Sequence, residues 1–475
     1  MRKQNGLGQN STGLALAYLI AQACLAAQGG ELEITSIVQS TNGIRVVWTN
    51  SLPGYAFTLQ ARDSLSVGNW SNAPTRYRWP GLMNRWVEPG KLLGGARLYR
   101  VMAEPAPLPQ RGRVLSSTLV QSLSVATIQA TLQNYGLPAA QARWPVRFYK
   151  VLYETVDPFG LAITASGALY IPQGPTNSLP LVSLQHGTTH LKSFVPSRGN
   201  SYGDHAFGIL LATAGYVGQL PDYIGMGDSP GFQAYLHAKT EATTVVDMLR
   251  AVRQFCASNS VNLNSQLFLT GYSQGGHVTM AAHREIETYH SDEFTVTASA
   301  PMSGPYDLSG VTWNYAQTNL SLRGYFPLLI AAWLPIYNLG DTFEELLRAP
   351  YDRTLAPLYD GLHTDDQIGL ALPSDGFTVL RPDYLARLLS DPNHPLRQAF
   401  RDNDVYQWTP VAPIHLYHCS GDTLVPPANS MVAYQTFTNN GACCVSLIDP
   451  GNFDHGPGWL PSVLAAKQWF DSLKQ

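Results

Sequence analysis

Ser273 stands in Gly271-Tyr272-Ser273-Gln274-Gly275-Gly276, directly after the apolar run QLFLT and directly before GGHVTMAAHREIE, a stretch of helical character. A serine two residues from glycine on both sides, at a strand-to-helix exit, is a nucleophile pattern. The turn is so tight that a Cβ two positions before or after would clash. A serine hydroxyl attacks poorly until an imidazole takes its proton, and that imidazole needs a carboxylate to fix its tautomer and stabilise its charged form. Both partners are available downstream. Asp422 lies in Gly421-Asp422-Thr423-Leu424-Val425-Pro426, after the strand-like PIHLYHC. His455 lies in Gly451-Asn452-Phe453-Asp454-His455-Gly456, between the strand-like CCVSLIDP and the helical PSVLAAKQWFDSL. The catalytic set expected from this pattern is Ser273, Asp422 and His455.

Other groups compete for these roles. Asp307 follows the run FTVTASAP and is the second choice for the acid, whereas Asp454, adjacent to the histidine, is expected to brace its turn. His415 and His418 sit within the strand before Asp422 and are expected to be packed or hydrogen-bonded histidines, one on each side. His186 and His190, with His205, have H-x-x-x-H spacing without a helix or an H-E-x-x-H motif, so neither a metal nor a cofactor is expected. A tetrahedral intermediate needs two backbone N–H donors at its oxyanion. Gln274, after the nucleophile, is expected to give one; the other is sought in His186-Gly187-Thr188-Thr189 after LPLVSLQ, where the family resemblance described below implies Thr188. Gly187 would let the backbone approach closely. His186, Gly187 and Tyr272 are the expected substrate neighbours on the body of the domain.

The elements that must position these residues read as an alternation. After the helix-like SLSVATIQATLQNYG, the runs VRFYKVLYETV and LAITASGALYIP flank Asp157-Pro158-Phe159-Gly160 and read as a hairpin. Beyond Pro180, short apolar strands alternate with helical stretches through LPLVSLQH, HAFGILLATAG, YVGQLPDY, EATTVVDMLRAVRQFC and SQLFLTGYS. That grammar implies a mostly parallel sheet with helices on both faces. Before it, residues 31–104 carry short period-two runs (LEITSIV, IRVVWTN, YAFTLQAR, ARLYRVMA) separated by glycine turns, the pattern of a small antiparallel β-sandwich. Trp48, Trp70 and Tyr99 are expected in its core. Pro105, Pro107 and Pro109 make a stiff linker over 105–113.

An antiparallel hairpin followed by parallel units, with Ser, Asp and His in that chain order, resembles the α/β-hydrolase superfamily over residues 114–475. HGTTH at 186–190, LPDYIGMGDS at 220–229, GYSQGG at 271–276, and SGDTLVP with FDHG make the segment similar to the secretory lipase and carboxylesterase families. The N-terminal module resembles fibronectin-like modules. The resemblance implies ester hydrolysis through an acyl-enzyme, with a small-molecule or lipid ester as substrate and no cofactor. It also implies that residues 308–412, which interrupt the alternation, form a helical cap. Within the cap, the apolar run from Tyr325 to Tyr337 fits a buried scaffold helix, while Pro327 and Pro335 near its ends suggest a short hairpin laid over a pocket, with Leu328, Leu329 and Trp333 facing the acyl chain. A serine peptidase with the same triad is the first alternative, for which Glu344-Glu345 and Asp365-Asp366 could anchor a charged peptide end. A non-catalytic binding protein is the second.

Composition sets the outer bounds. The chain has 475 residues, enough for two or three domains. A net charge of −3 excludes the basic footprint of nucleic-acid binding. Arg2 and Lys3, an apolar run from Leu14 to Ala27 and small residues at Ala21, Ala23, Ala26 and Ala27 read as a signal peptide over 1–28. Export to the periplasm or the extracellular space follows. No later apolar run is long enough for a membrane helix, so no integral membrane segment is expected in the mature chain. Acylation of Cys24 is the weaker reading. In an oxidising compartment Cys419 could bridge to Cys443 or Cys444, and three packed thiols fit the sequence equally well.

Overall fold

Nine strands of one mixed sheet organise the larger part of the chain. The computed structural model describes residues 32–40, 43–49, 55–64, 68–73, 85–89, 97–105, 109–318, 324–337, 343–373 and 376–475. The expected signal segment at 1–28 lies outside the described residues. The described residues form two compact units, one within 32–105 and one from 109 onward.

In the first unit, β1 (Ile34–Ser40), β2 (Gly43–Trp48) and β5 (Arg85–Pro89) make one antiparallel sheet, while β3 (Tyr55–Arg62), β4 (Ser71–Asn72) and β6 (Leu98–Pro105) make another. Period-two alternation turns Ile34, Ile44, Val46 and Trp48 inward against Phe57, Leu59, Tyr99 and Val101. Trp48 and Tyr99 are buried there. Trp70 departs from the expectation. It lies half-buried, with the Arg62 and Arg100 guanidinium carbons 4.6 and 4.7 Å from its ring centre, so cation–π contacts rather than core packing hold it.

In the second unit, β7 (Val114–Leu123), β8 (Val146–Val156) and β9 (Ala162–Pro172) run antiparallel. The strands β10 (Leu179–Gln185), β11 (Val217–Pro221), β12 (Leu263–Tyr272), β13 (Ala298–Met302), β14 (Ile414–Tyr417) and β15 (Val445–Ile448) are parallel to one another, in spatial order β15-β14-β13-β12-β10-β11-β9-β8-β7. The hairpin between β8 and β9 closes at Asp157, whose side chain accepts from the Phe159 and Leu161 N–H groups. Helices α1 (Val125–Asn134) and α2 (Asp204–Thr213) cover one face; α3 (Ala238–Ser258) and α4 (Gln274–Tyr289) cover the other. In β12, Phe268 packs into the first layer while Leu267 and Leu269 pack into the second, the strand period at work. The strand β7 was not foreseen, because eight of its residues are exposed and leave no apolar alternation to read.

Among the described residues of 308–412 the α-helices are α5 (Trp313–Ala316), α6 (Tyr325–Tyr337), α7 (Phe343–Leu346), α8 (Tyr351–Thr354), α9 (Asp365–Ala371), α10 (Pro382–Ser390) and α11 (Pro395–Asp402). The expected hairpin at Tyr325–Tyr337 is a single helix. Pro327 falls in its first turn, where a missing N–H costs nothing, and Pro335 lies near its end. The body resumes with β14, α12 (Ala428–Asn439), β15 and α13 (His455–Leu473). Among the described residues no helix is long and apolar enough to cross a membrane.

The cysteines correct a further expectation. Cys419 follows the C-terminal end of β14, whereas Cys444 accepts a backbone bond from Ile414 at the start of the same strand. Neighbouring strands in a parallel pair point the same way, so the end of one and the beginning of the next lie at opposite edges of the sheet. Cys419 is buried, its Sγ 3.8 Å from the Gly458 carbonyl oxygen and 4.0 Å from Ser462 Oγ. Cys443 and Cys444 are exposed free thiols.

Candidate active site

The parallel strands deliver their loops to one edge of the sheet, at the carboxyl ends, where α/β sheets form their sites. The end of β12 is a turn in which Ser273 takes φ 61° and ψ −122°, a conformation a non-glycine residue rarely holds. The neighbouring glycines permit it. A Cβ at Gly275 would stand 2.0 Å from the Gln185 carbonyl oxygen, and one at Gly271 would stand 2.5 Å from the Gly275 oxygen. The Ser273 N–H is anchored to the Met302 carbonyl on β13.

Three expected residues meet here. Ser273 Oγ lies 2.9 Å from His455 Nε2, and His455 Nδ1 lies 2.7 Å from Asp422 Oδ2. Asp422 Oδ1 accepts from the backbone N–H groups of Leu424 (3.0 Å) and Val425 (2.8 Å), which fixes the carboxylate plane. Burial opposes its charge, yet hydrogen bonds from His418 and His455 outweigh that and hold the carboxyl well below the usual carboxylate range. Asp454 caps α13 and accepts from His455 N, Thr423 N and Thr423 Oγ1, so it ties the loop carrying His455 to the loop carrying Asp422. Tyr272 donates its hydroxyl to the His455 carbonyl at 2.7 Å. Asp307, the second choice for the acid, instead caps the turn at Leu308–Thr312 by accepting from Gly310 and Val311.

Gln274 opens α4, where the first N–H groups have no helical partner. Among the described residues neither its N–H nor that of Thr188 has a protein acceptor, and both residues line a cavity with Ser273. The loop before Thr188 is braced from below. His186 stacks on Tyr223, and Gly187 donates its N–H to Asp204 Oδ2 at 3.2 Å. Burial drives both the Asp204 carboxyl up and the His186 imidazole down, towards their neutral forms. His186 is therefore support rather than cavity wall. A Cβ on Gly187 would meet only the Tyr272 carbonyl oxygen, at 3.8 Å, so neighbouring atoms do not demand glycine there. His190 faces Asp365 and His205 faces the Tyr170 hydroxyl, so the histidines of this region are spent on separate partners.

Two cavities open at Ser273. One, of about 70 Å³, is almost wholly apolar and is walled by Trp313, Tyr325, Phe326, Leu329 and Phe400 from the cap and by Leu236, Leu424 and Val425 from the body. The other, of about 680 Å³, passes His455, Tyr272, Gly187, Thr188, Tyr202 and Trp459. Of the three cap residues expected over the pocket, only Leu329 lines it. Leu328 faces a separate cavity of about 220 Å³ beside His190 and Gln233. Trp333 is fully buried, packed on Phe400 and donating its indole N–H to the Tyr235 carbonyl. His418, expected to be packed or hydrogen-bonded, is buried and bonded to Ser430 and Val425. Two functional neighbours escaped the sequence reading: Asp204, described above, and Glu241, which accepts from the Gln274 side chain and from Leu236 N. The position of Asp204 at the start of a glycine-bounded helix was a signal that could have been used.

Comparison with known proteins bears on the family and the fold. The secretory lipase family profile matches residues 204–472. No curated protein sequence matches the chain. Among solved structures, the rice cell wall degrading esterase LipA from Xanthomonas oryzae is similar at 29% identity and a TM-score of 0.68, over 77% of this chain and 100% of that one. A Legionella pneumophila protein solved as a candidate hydrolase is similar at 25% identity and a TM-score of 0.71, over 76% of this chain and 98% of that one. Candida antarctica lipase A shares the fold at 18% identity and a TM-score of 0.59, over 77% and 84% of the two chains. The family match spans more than half of the chain: it belongs to the secretory lipase family of the α/β-hydrolase fold and is a hydrolase acting on esters.

Proposed function

We propose that the chain is an exported serine hydrolase that cleaves carboxylic esters through an acyl-enzyme, with Ser273 as nucleophile, His455 as general base and acid, and Asp422 as the acid that orients it. The carrying observation is the unbroken hydrogen-bond chain from Ser273 Oγ through His455 to Asp422, ending beside an apolar cavity. As the Ser273 oxygen attacks the ester carbonyl, its proton passes to His455 Nε2, and the new oxyanion takes the N–H groups of Gln274 and Thr188. Collapse expels the alcohol, which leaves with the proton from His455. Water then attacks the acyl-enzyme, giving its proton to the same nitrogen, and the acid product departs as Ser273 recovers its hydrogen. The acyl chain is assigned to the narrow apolar cavity and the alcohol to the wider cleft past His455. The family and the description of LipA as cell wall degrading, a task outside the cell, support export together with the N-terminal signal pattern.

Against a peptidase, Asp365 is already engaged by His190 and the Tyr202 hydroxyl and is not free to hold a peptide amine. Turnover of p-nitrophenyl esters without turnover of aminoacyl anilides is the expected result; the reverse would replace ester hydrolysis by peptide hydrolysis. The cap sharpens this test. Leu329→Trp should fill the acyl cavity and depress octanoate and butyrate hydrolysis while sparing acetate, since each methylene kept in water forgoes about 0.8 kcal/mol, about fourfold in kcat/KM. Trp333→Ala should instead lower stability by about 3 to 5 kcal/mol and reduce all esters in parallel. Parallel loss in both variants would remove the acyl assignment.

A further inference from the structure

We propose that His418 is a positioning residue for the reaction, holding the Asp422 carboxylate with its Nε2–H so that the acid is fixed between two imidazoles. The inference rests on the Ser273–His455–Asp422 reading above and adds a fourth member to it. Asp422 Oδ2 is 2.7 Å from His455 Nδ1 and 3.3 Å from His418 Nε2. His418 Nε2 also lies 2.9 Å from the Val425 carbonyl oxygen. Its two neighbours, a carboxylate and a carbonyl, are both acceptors, so this nitrogen must carry hydrogen. On the other side of the ring, Nδ1 lies 2.7 Å from Ser430 Oγ, whose hydroxyl can donate to it and leave the imidazole neutral.

The geometry is more specific than packing. His418 is buried between β14 and α12, and its Nε2–H reaches across the turn at residues 422–425, the same turn whose backbone N–H groups hold Asp422 Oδ1. Asp422 Oδ1 is thus held by two backbone N–H groups, while Oδ2 faces two imidazoles, with the His418 Nε2–H shared between it and the Val425 carbonyl. The other titratable groups facing this assembly are Asp449 beyond β15, Asp454 at the start of α13, Cys419 after β14 and Tyr272 at the end of β12. An oxygen that shares its lone pairs with a second donor is a weaker acceptor for His455. Withdrawing that donor should leave the carboxylate looser and more negative towards His455, which favours the imidazolium and raises the pH at which the base becomes free.

The test uses two amides that occupy different parts of the imidazole. His418→Gln places an N–H donor near the Nε2 position, whereas His418→Asn reaches only as far as Nδ1 and Ser430. Rates for p-nitrophenyl butyrate are measured against pH, with melting temperature in parallel. The expected result is that H418N loses about tenfold in kcat at little-changed KM and shifts the acid limb of kcat/KM upward by about half a pH unit, while H418Q restores most of both. Identical behaviour of the two variants, including failure of both to fold, overturns the proposal, because a merely structural histidine gives no reason for the Nε2-side amide to rescue the pH limb. Labelling by a fluorophosphonate separates the two readings. Labelling that persists in Ser273→Ala sinks the triad, whereas labelling lost there with indistinguishable His418 variants sinks the role of His418 alone.

Discussion

Ester turnover by Ser273→Ala is expected to fall about a million-fold, to the level that oxyanion donors and substrate binding sustain without a nucleophile. The change removes one oxygen and leaves the backbone torsions, the Met302 anchor and the flanking glycines in place. Its melting temperature should therefore match that of the parent. Activity assays and a thermal melt on the same preparation check both halves. More than trace activity in a fully folded variant would move the nucleophile elsewhere.

Asp422→Asn should cost about ten-thousand-fold in kcat. The structure explains why the amide cannot simply stand in. Leu424 N and Val425 N donate to one carboxylate oxygen, and His455 and His418 both reach the other. An amide has one oxygen: with its NH₂ towards Leu424 and Val425 it meets two N–H donors, and to avoid that clash it turns the NH₂ to His455, whose Nδ1 must then accept, so that Nε2 carries hydrogen and cannot take the Ser273 proton. A stability signature accompanies the kinetic one. The Asp422 carboxyl titrates below its unfolded value in the folded protein, so its ionised form stabilises the fold above about pH 4, and that contribution is lost as pH falls towards the folded value. The difference in unfolding free energy between parent and variant should be largest near neutrality and shrink below about pH 4. A gap independent of pH, or greater damage from Asp307→Asn, would reassign the acid.

The site was legible where local sterics write it. The glycines around Ser273 answer to contacts with Gln185 and with one another, and the loops bearing Asp422 and His455 follow strands whose apolar runs announce themselves. What escaped depends on distance in the chain or on symmetry of pattern. His418 reads as strand interior until the turn at 422–425 folds back on it. The helix α6 is apolar on nearly every side, so periodicity could not tell that Leu329 faces Ser273 while Leu328 and Trp333 face elsewhere. The proline count there misled because Pro327 falls where a helix needs no N–H. The proposed bridge from Cys419 failed on strand direction, which spacing alone does not reveal.

The packing around the nucleophile also says where variation can enter. A methyl group at 275 would collide with the backbone of β10, one at 271 with that of Gly275, and one at 276 with the Met302 carbonyl 2.4 Å away. Main-chain atoms of neighbouring strands cannot step aside as a flexible side chain can, so these sites are closed to drift whatever the substrate. The helical segment 308–412 is tied to the body by directional contacts such as Asp365 with His190, Trp333 with Tyr235 and Asn403 with Ala238, and between them it offers exposed helix surface and replaceable cavity walls. Lineages descending from such a chain would diversify through cap residues such as Leu329 while inheriting the turn at Ser273 unaltered, so new ester preferences could arise without rebuilding the machinery that attacks them.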